Sequence, residues 1–214
     1  MFELPLFPLK TVVFPGMPMP LHIFEERYKQ MINECVEAKR PFGIVCIEAG
    51  EAEYDTDVQP YSVGCTVDIV QVQKLEDGRF FIMTIGQERF RIAQLKHTAK
   101  PYLVGDVTTL SYREESQNVL AQAANRLGSL LREYLSILVA AGKAEVDLEQ
   151  LPQDPESLAG TAASLLDISL ERKQRLLETN SLSKMIKHLI ALFEREVKLL
   201  QMMPQDDSER FSLN

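Results

Sequence analysis

The first 21 residues hold five of the chain's 11 prolines and its only Pro-Gly pair, set among apolar and β-branched side chains. They read Leu4-Pro5-Leu6-Phe7-Pro8-Leu9 and then Val12-Val13-Phe14-Pro15-Gly16-Met17-Pro18-Met19-Pro20-Leu21. Proline lacks an amide N–H and fixes φ, so this density rules out a helix and argues against a central strand. The apolar residues between the prolines must still leave water or meet a partner. The expectation is a segment that wraps a barrel or lines a binding groove.

Composition narrows the function classes. With 214 residues, 45% of them hydrophobic and 25% charged, the chain can bury a core without disulfides. A net charge of −8 argues against nucleic acid and anionic membranes as partners. Cys35, Cys46 and Cys65 are scattered, which suits a reducing compartment and buried free thiols. No basic region precedes an apolar run at the start, and no stretch approaches the length of a membrane span, so the expected location is cytoplasmic.

The chain divides by texture into residues 1–112, 113–204 and a polar tail, 205–214. In the first part, Thr11 to Phe14 and Pro20 to Ile23 read as short extended pieces. A helix is expected over residues 25–38, with Phe24, Tyr28, Met31, Ile32 and Cys35 on its apolar face. Residues 42–47 read as a strand, and residues 49–60 as an acidic, mobile loop. Residues 63–75 and 79–85 flank Glu76-Asp77-Gly78, a hairpin signal of the type I′ kind. Gly86-Gln87-Glu88 leads into a further strand over 89–95, and the last covers 102–110. This many short strands with one helix predict a closed or nearly closed barrel. In the second part, apolar spacing predicts helices ending near Gly142, over 155–166, over 170–178 and over 182–203, with Asp154 capping the second and Ser169 able to cap the third.

The opening Leu-Pro-Leu-Phe-Pro-Leu, Val12-Val13-Phe14-Pro15-Gly16-Met17 and Pro20-Leu21 through Arg27-Tyr28 resemble the N-terminal, substrate-binding domain family of Lon proteases. Val63-Gly64, the Asp77-Gly78 hairpin, Gly86-Gln87-Glu88-Arg89-Phe90-Arg91-Ile92 and Lys173-Gln174-Arg175-Leu176-Leu177-Glu178 continue the resemblance over residues 2 to 200. It implies an α+β fold: a PUA-like pseudo-β-barrel followed by a C-terminal helical bundle. It also implies a role in holding unfolded or tagged polypeptide segments, as adaptor or holdase, with an ATP-dependent protease as a candidate partner. The family's ATPase and Ser-Lys peptidase modules find no counterpart here, so the expectation is a stand-alone, non-catalytic form without cofactor. Gly142-Lys143 is followed by Ala144 and lacks the glycine spacing of a phosphate-binding loop.

Candidate sites are few. Phe14, Met17, Pro18, Met19 and Leu21 form the candidate peptide-binding strip, although Phe14, Leu21 and Ile23 equally suit a barrel core. Ser181-Leu182-Ser183-Lys184 fits an S-x-x-K pattern but lacks its companion motifs, and a helix cap accounts for the same residues. His22, His97 and His188 show no metal-ligand spacing. Glu25 and Glu26 suit the first turn of a helix. Arg89 and Arg91 alternate with Phe90 and Ile92, as on a strand with one solvated face. An alternative reading, RNA or nucleotide binding through a PUA-like barrel, rests on fold analogy.

Overall fold

The computed structural model describes residues 1–50, 58–76, 78–96, 98–142 and 151–202. The expected acidic loop, Asp77, His97, the Lys143-Ala144 pair and the 205–214 tail fall wholly or partly outside them. Along the described chain run β1 (Phe2–Leu9), β2 (Pro18–Ile23), α1 (Glu26–Glu37), β3 (Phe42–Ala49), β4 (Gln59–Pro60), β5 (Val63–Lys74), β6 (Phe80–Lys96) and β7 (Leu103–Thr109). Helices α2 (Gln117–Ala140), α3 (Pro155–Leu165), α4 (Leu170–Glu178) and α5 (Leu182–Met202) follow.

The strand path β1-β7-β6-β5-β3 closes on itself, because β1 also pairs in parallel with β3. Strand β2 lies outside that ring along β6, and β4 adds to β3. A proline-rich segment as a ring member corrects the expectation from proline density. Phe2 to Leu6 pair with β7 and Leu6 to Leu9 with β3, so only Leu6 meets both neighbours. Pro5 and Pro8 each have a strand on one side alone, the edge-like setting that proline tolerates.

Helix α1 buries Tyr28, Met31, Ile32 and Cys35 against Phe7, Phe42, Ile44, Phe80 and Ile82. Phe24 does not join them and is 52% exposed. Extended backbone at the N-cap, Glu25 (φ −74, ψ 135), intervenes and takes Phe24 out of helical phase.

Strand β6 is one element of 17 residues rather than two joined by Gly86-Gln87-Glu88. Irregularities in its pairing with β5, between Cys65 and Val67 and between Ile69 and Gln71, bend the pair without interrupting it. At the hairpin the Leu75 N–H donates to the Arg79 carbonyl at 2.8 Å, so the connection is longer than a two-residue turn.

Helices α2 and α5 run parallel. Polar links join Arg113 to Ser181, Glu115 to Ser183, Arg126 to Glu194 and Glu133 to Gln201, each pair separated by 68 residues. A constant offset over this length means equal rise in one direction. Helix α3 starts as expected, with Asp154 Oδ1 accepting from the Ser157 N–H at 2.8 Å and Pro155 in the first turn. Ser169 stands at the N-cap of α4 without a side-chain cap bond.

The largest core crosses residue 112. Val12, Phe14, Cys46 and Val63 pack in one cluster with Leu127, Leu158, Ala162, Leu177, Ile186 and Phe193. Gln174 Nε2 donates to the Val63 carbonyl at 3.0 Å, a buried polar link between α4 and β5. The three cysteines are free and buried.

Candidate functional site

The segment between β1 and β2 is a strap held on both sides. Gly16 N–H donates to the Gly86 carbonyl at 2.8 Å, and Gly86 N–H donates back to Met17 at 2.9 Å. From the other side comes α3: a Cβ on Gly160 would stand 2.1 Å from the Pro15 carbonyl oxygen. Gly16 itself has φ +78, which only glycine adopts freely, and Ser157 lies against it.

This fixing sorts the five strip residues. Phe14 is fully buried in the helical core, and Leu21 is 7% exposed in the cluster under α1. Both serve the interior, so the surface strip is shorter than the sequence suggested. Met17 and Met19 are half-buried, and Pro18 is exposed. Alternation along β2 turns Met19, Leu21 and Ile23 inward and Pro18, Pro20 and His22 outward.

The outward face is completed by β6. Pro18 pairs with Ile85, Pro20 with Met83 and His22 with Phe81. The His22 and Phe81 rings stack at 4.5 Å, and Phe24 lies 5.7 Å from His22. Phe81 is 47% exposed. Three rings and four apolar side chains thus form a patch that is at least partly open to solvent. Sequence reading weighs His22 only as a metal ligand and Phe24 only as a helix-face residue; period-two alternation continued along β2 is the signal that turns both outward, whereas Phe81 joins them only through the pairing of β2 with β6.

One end of this patch runs into a cleft of about 590 Å³ between β6, the 109–113 connector and the start of α3. Ile85 belongs to both, and Gly16 leads directly into Met17. In the cleft wall sits Arg89, only 1% exposed, which corrects the expectation of a solvated arginine on this strand. Its Nη1 donates to the carbonyls of Leu177 (2.8 Å) and Thr179 (2.7 Å) at the end of α4. Its guanidinium carbon lies 3.4 Å from the centre of the Tyr112 ring. Helices cover the strand's second face, so Arg89 and Phe90 are both buried while Arg91 stays exposed.

Burial dominates the electrostatics. It pushes the Tyr112 phenol up to about 12, against the pull of Arg89. It also lowers the Arg89 guanidinium below its ordinary value and raises the Glu156 carboxyl. A larger hollow of about 830 Å³ beside α1 is lined by Glu26, Arg27, Lys29, Glu34 and Lys74, and it is an open polar depression.

The remaining candidates resolve simply. Ser181 Oγ accepts from the Lys184 N–H at 3.2 Å, which is the helix cap, and Lys184 is exposed. His22 stacks on aromatics and His188 is exposed. No cluster of three or more metal-ligating side chains occurs among the described residues.

Comparison with known proteins gives a consistent picture. Residues 3–195 match the family model described as the ATP-dependent protease La (LON) substrate-binding domain. Lon protease 2 of Myxococcus xanthus is 28% identical over 207 residues, covering 96% of this chain and 25% of that protein. Lon protease 2 of Herpetosiphon aurantiacus is 31% identical over 208 residues, covering 94% and 24%. The chain thus spans about a quarter of the length of the curated relatives it matches. The N-terminal domain of the Mycobacterium avium complex Lon protease aligns with TM-score 0.69 at 20% identity, covering 90% of this chain and 98% of that one. A Lon N-terminal domain protein from Xanthomonas campestris gives 0.62 at 23% identity, covering 89% and 98%. These two likenesses are of fold.

Proposed function

The chain belongs to the Lon substrate-binding domain family, and from that premise we propose that it is a non-catalytic module that holds unfolded or exposed polypeptide segments. The family match over residues 3–195 carries this reading. The patch of Pro18, Pro20, His22, Phe24, Phe81, Met83 and Ile85, with half-buried Met17 at its edge, is its binding surface. We read the strand ring as PUA-like (residues 1–112) and the following helices as a bundle (113–204). The module acts as an adaptor or holdase in the cytoplasm, with an ATP-dependent protease as the partner that receives its clients. Its free, buried cysteines fit a reducing compartment.

Magnitudes set the expected regime. Covering about 400 Å² of apolar surface releases roughly 10 kcal/mol at about 25 cal/mol per Å². Association and ordering of a flexible chain consume about 4–15 kcal/mol. Binding is therefore weak, transient and tolerant of sequence. An array of peptides from an unfolded client tests this: apolar segments are retained and acidic ones are not. Uniform absence of binding up to about millimolar concentration removes the proposal.

A further inference from the structure

Two residues of opposite charge, Arg89 and Glu156, line the cleft without a hydrogen bond or ion pair between them among the described residues. Arg89 commits Nη1 to two carbonyls, while Nε and Nη2, the side-on edge of the guanidinium, have no hydrogen-bond partner. Glu156, half-buried in the first turn of α3, makes no ion pair or hydrogen bond among the described residues. A buried charged donor left unused is costly, so an edge of this kind calls for an acceptor.

The acceptor must suit its surroundings. Glu88, Asp154 and Glu156 line the cleft against Arg89 and Arg113, so a free anion meets more like charge than opposite. A peptide group is neutral and offers both an acceptor and a donor. We propose that the cleft reads the main chain of a bound polypeptide. A client carbonyl accepts from Nε and Nη2 of Arg89, and a neighbouring client N–H donates to the Glu156 carboxylate.

The inference rests on the polypeptide-binding reading and deepens it. Continuity supports it, since Ile85 and Gly16 join the cleft to the apolar patch. A chain laid along β2 therefore arrives at Arg89. Both free nitrogens are shut off from bulk water. Tyr112 stacks on the guanidinium and its hydroxyl donates to Met185 Sδ at 3.3 Å, so client binding requires the cleft wall around Arg89 to give way. Recognition through backbone amides explains how one site serves many sequences, because every peptide carries them.

The test uses the full chain labelled with ¹⁵N-arginine, titrated with a short apolar peptide blocked at both ends. The Arg89 Nε–H resonance reports the cleft, and the ring resonances of Phe24 and Phe81 report the patch. Both move with one affinity, and Glu156→Ala or replacement of one client amide by an ester weakens that affinity about ten-fold. Movement of the rings alone, with Glu156→Ala unchanged, overturns the cleft and leaves the polypeptide reading standing. If only peptides with a free C-terminus shift Arg89, the site binds carboxylate and the amide reading fails. Absence of any shift up to about millimolar peptide removes both.

Discussion

At residue 160 there is no room for a side chain, because the Pro15 carbonyl occupies that place at 2.1 Å. Gly160→Ala must push α3 off the strap, and a loss of about 1–3 kcal/mol is expected in urea unfolding. Phe14 and Phe81 differ in the opposite sense. Phe14→Ala empties a core position and costs about 3–5 kcal/mol, whereas Phe81→Ala changes stability by less than about 0.5 kcal/mol and weakens client binding. Equal stability losses for the two contradict the assignment of Phe81 to a free surface. Residue-scale reading of the sequence was least reliable for polar residues in apolar runs. Arg89 looked solvated because period-two alternation reports one strand, not the helices that cover its second face. Helical periodicity alone puts Phe24 on the buried face, because it carries no sign of the extended backbone at Glu25.

Elements were more legible than residues, and helices more than strands. Helix α4 falls where its spacing and the cap position Ser169 placed it, and α3 starts at Asp154-Pro155 for the stated reasons. Gly86 resembles a break between two strands in the sequence; within β6 it is instead the point where the strap crosses. The start of α5 makes a pH prediction. Glu115 is held down at about 2, chiefly by the Ser183 side chain, with burial opposing and Ser181 and Arg113 assisting. Glu34 is held at about 2 by Lys100, Tyr102 and Gln30. Carboxyls lowered from 4.5 contribute stability that is complete above that pH and is lost as pH falls toward 2. Urea midpoints should fall over that window, and Glu115→Gln should flatten the fall; an unchanged acid profile counts against the Glu115–Ser183 bonds.

On the scale of the whole molecule, one core spans both textures of the chain, which composition alone could not reveal. Val12, Phe14 and Val63 come from the strand part, yet they pack among α2, α3 and α5. Arg89 and Gln174 tie the same interface with polar bonds. Strands and helices should therefore unfold in one transition, with far-ultraviolet circular dichroism and tyrosine fluorescence coincident. Two separated transitions contradict a shared core. The opening prolines announced a segment bound to a barrel, and the structure makes part of it barrel and part of it strap. The surface that remains loses Phe14 and Leu21 from the strip first expected and gains His22, Phe24 and, from β6, Phe81.

The most direct measurement is a binding titration of an unfolded client, comparing the native chain with a Phe24→Ser, Phe81→Ser double variant. The native chain should saturate with a Kd between about micromolar and millimolar, and the variant should bind at least about ten-fold more weakly while unfolding at the same urea concentration. Equal affinity for the two proteins, or no binding by either, contradicts the account.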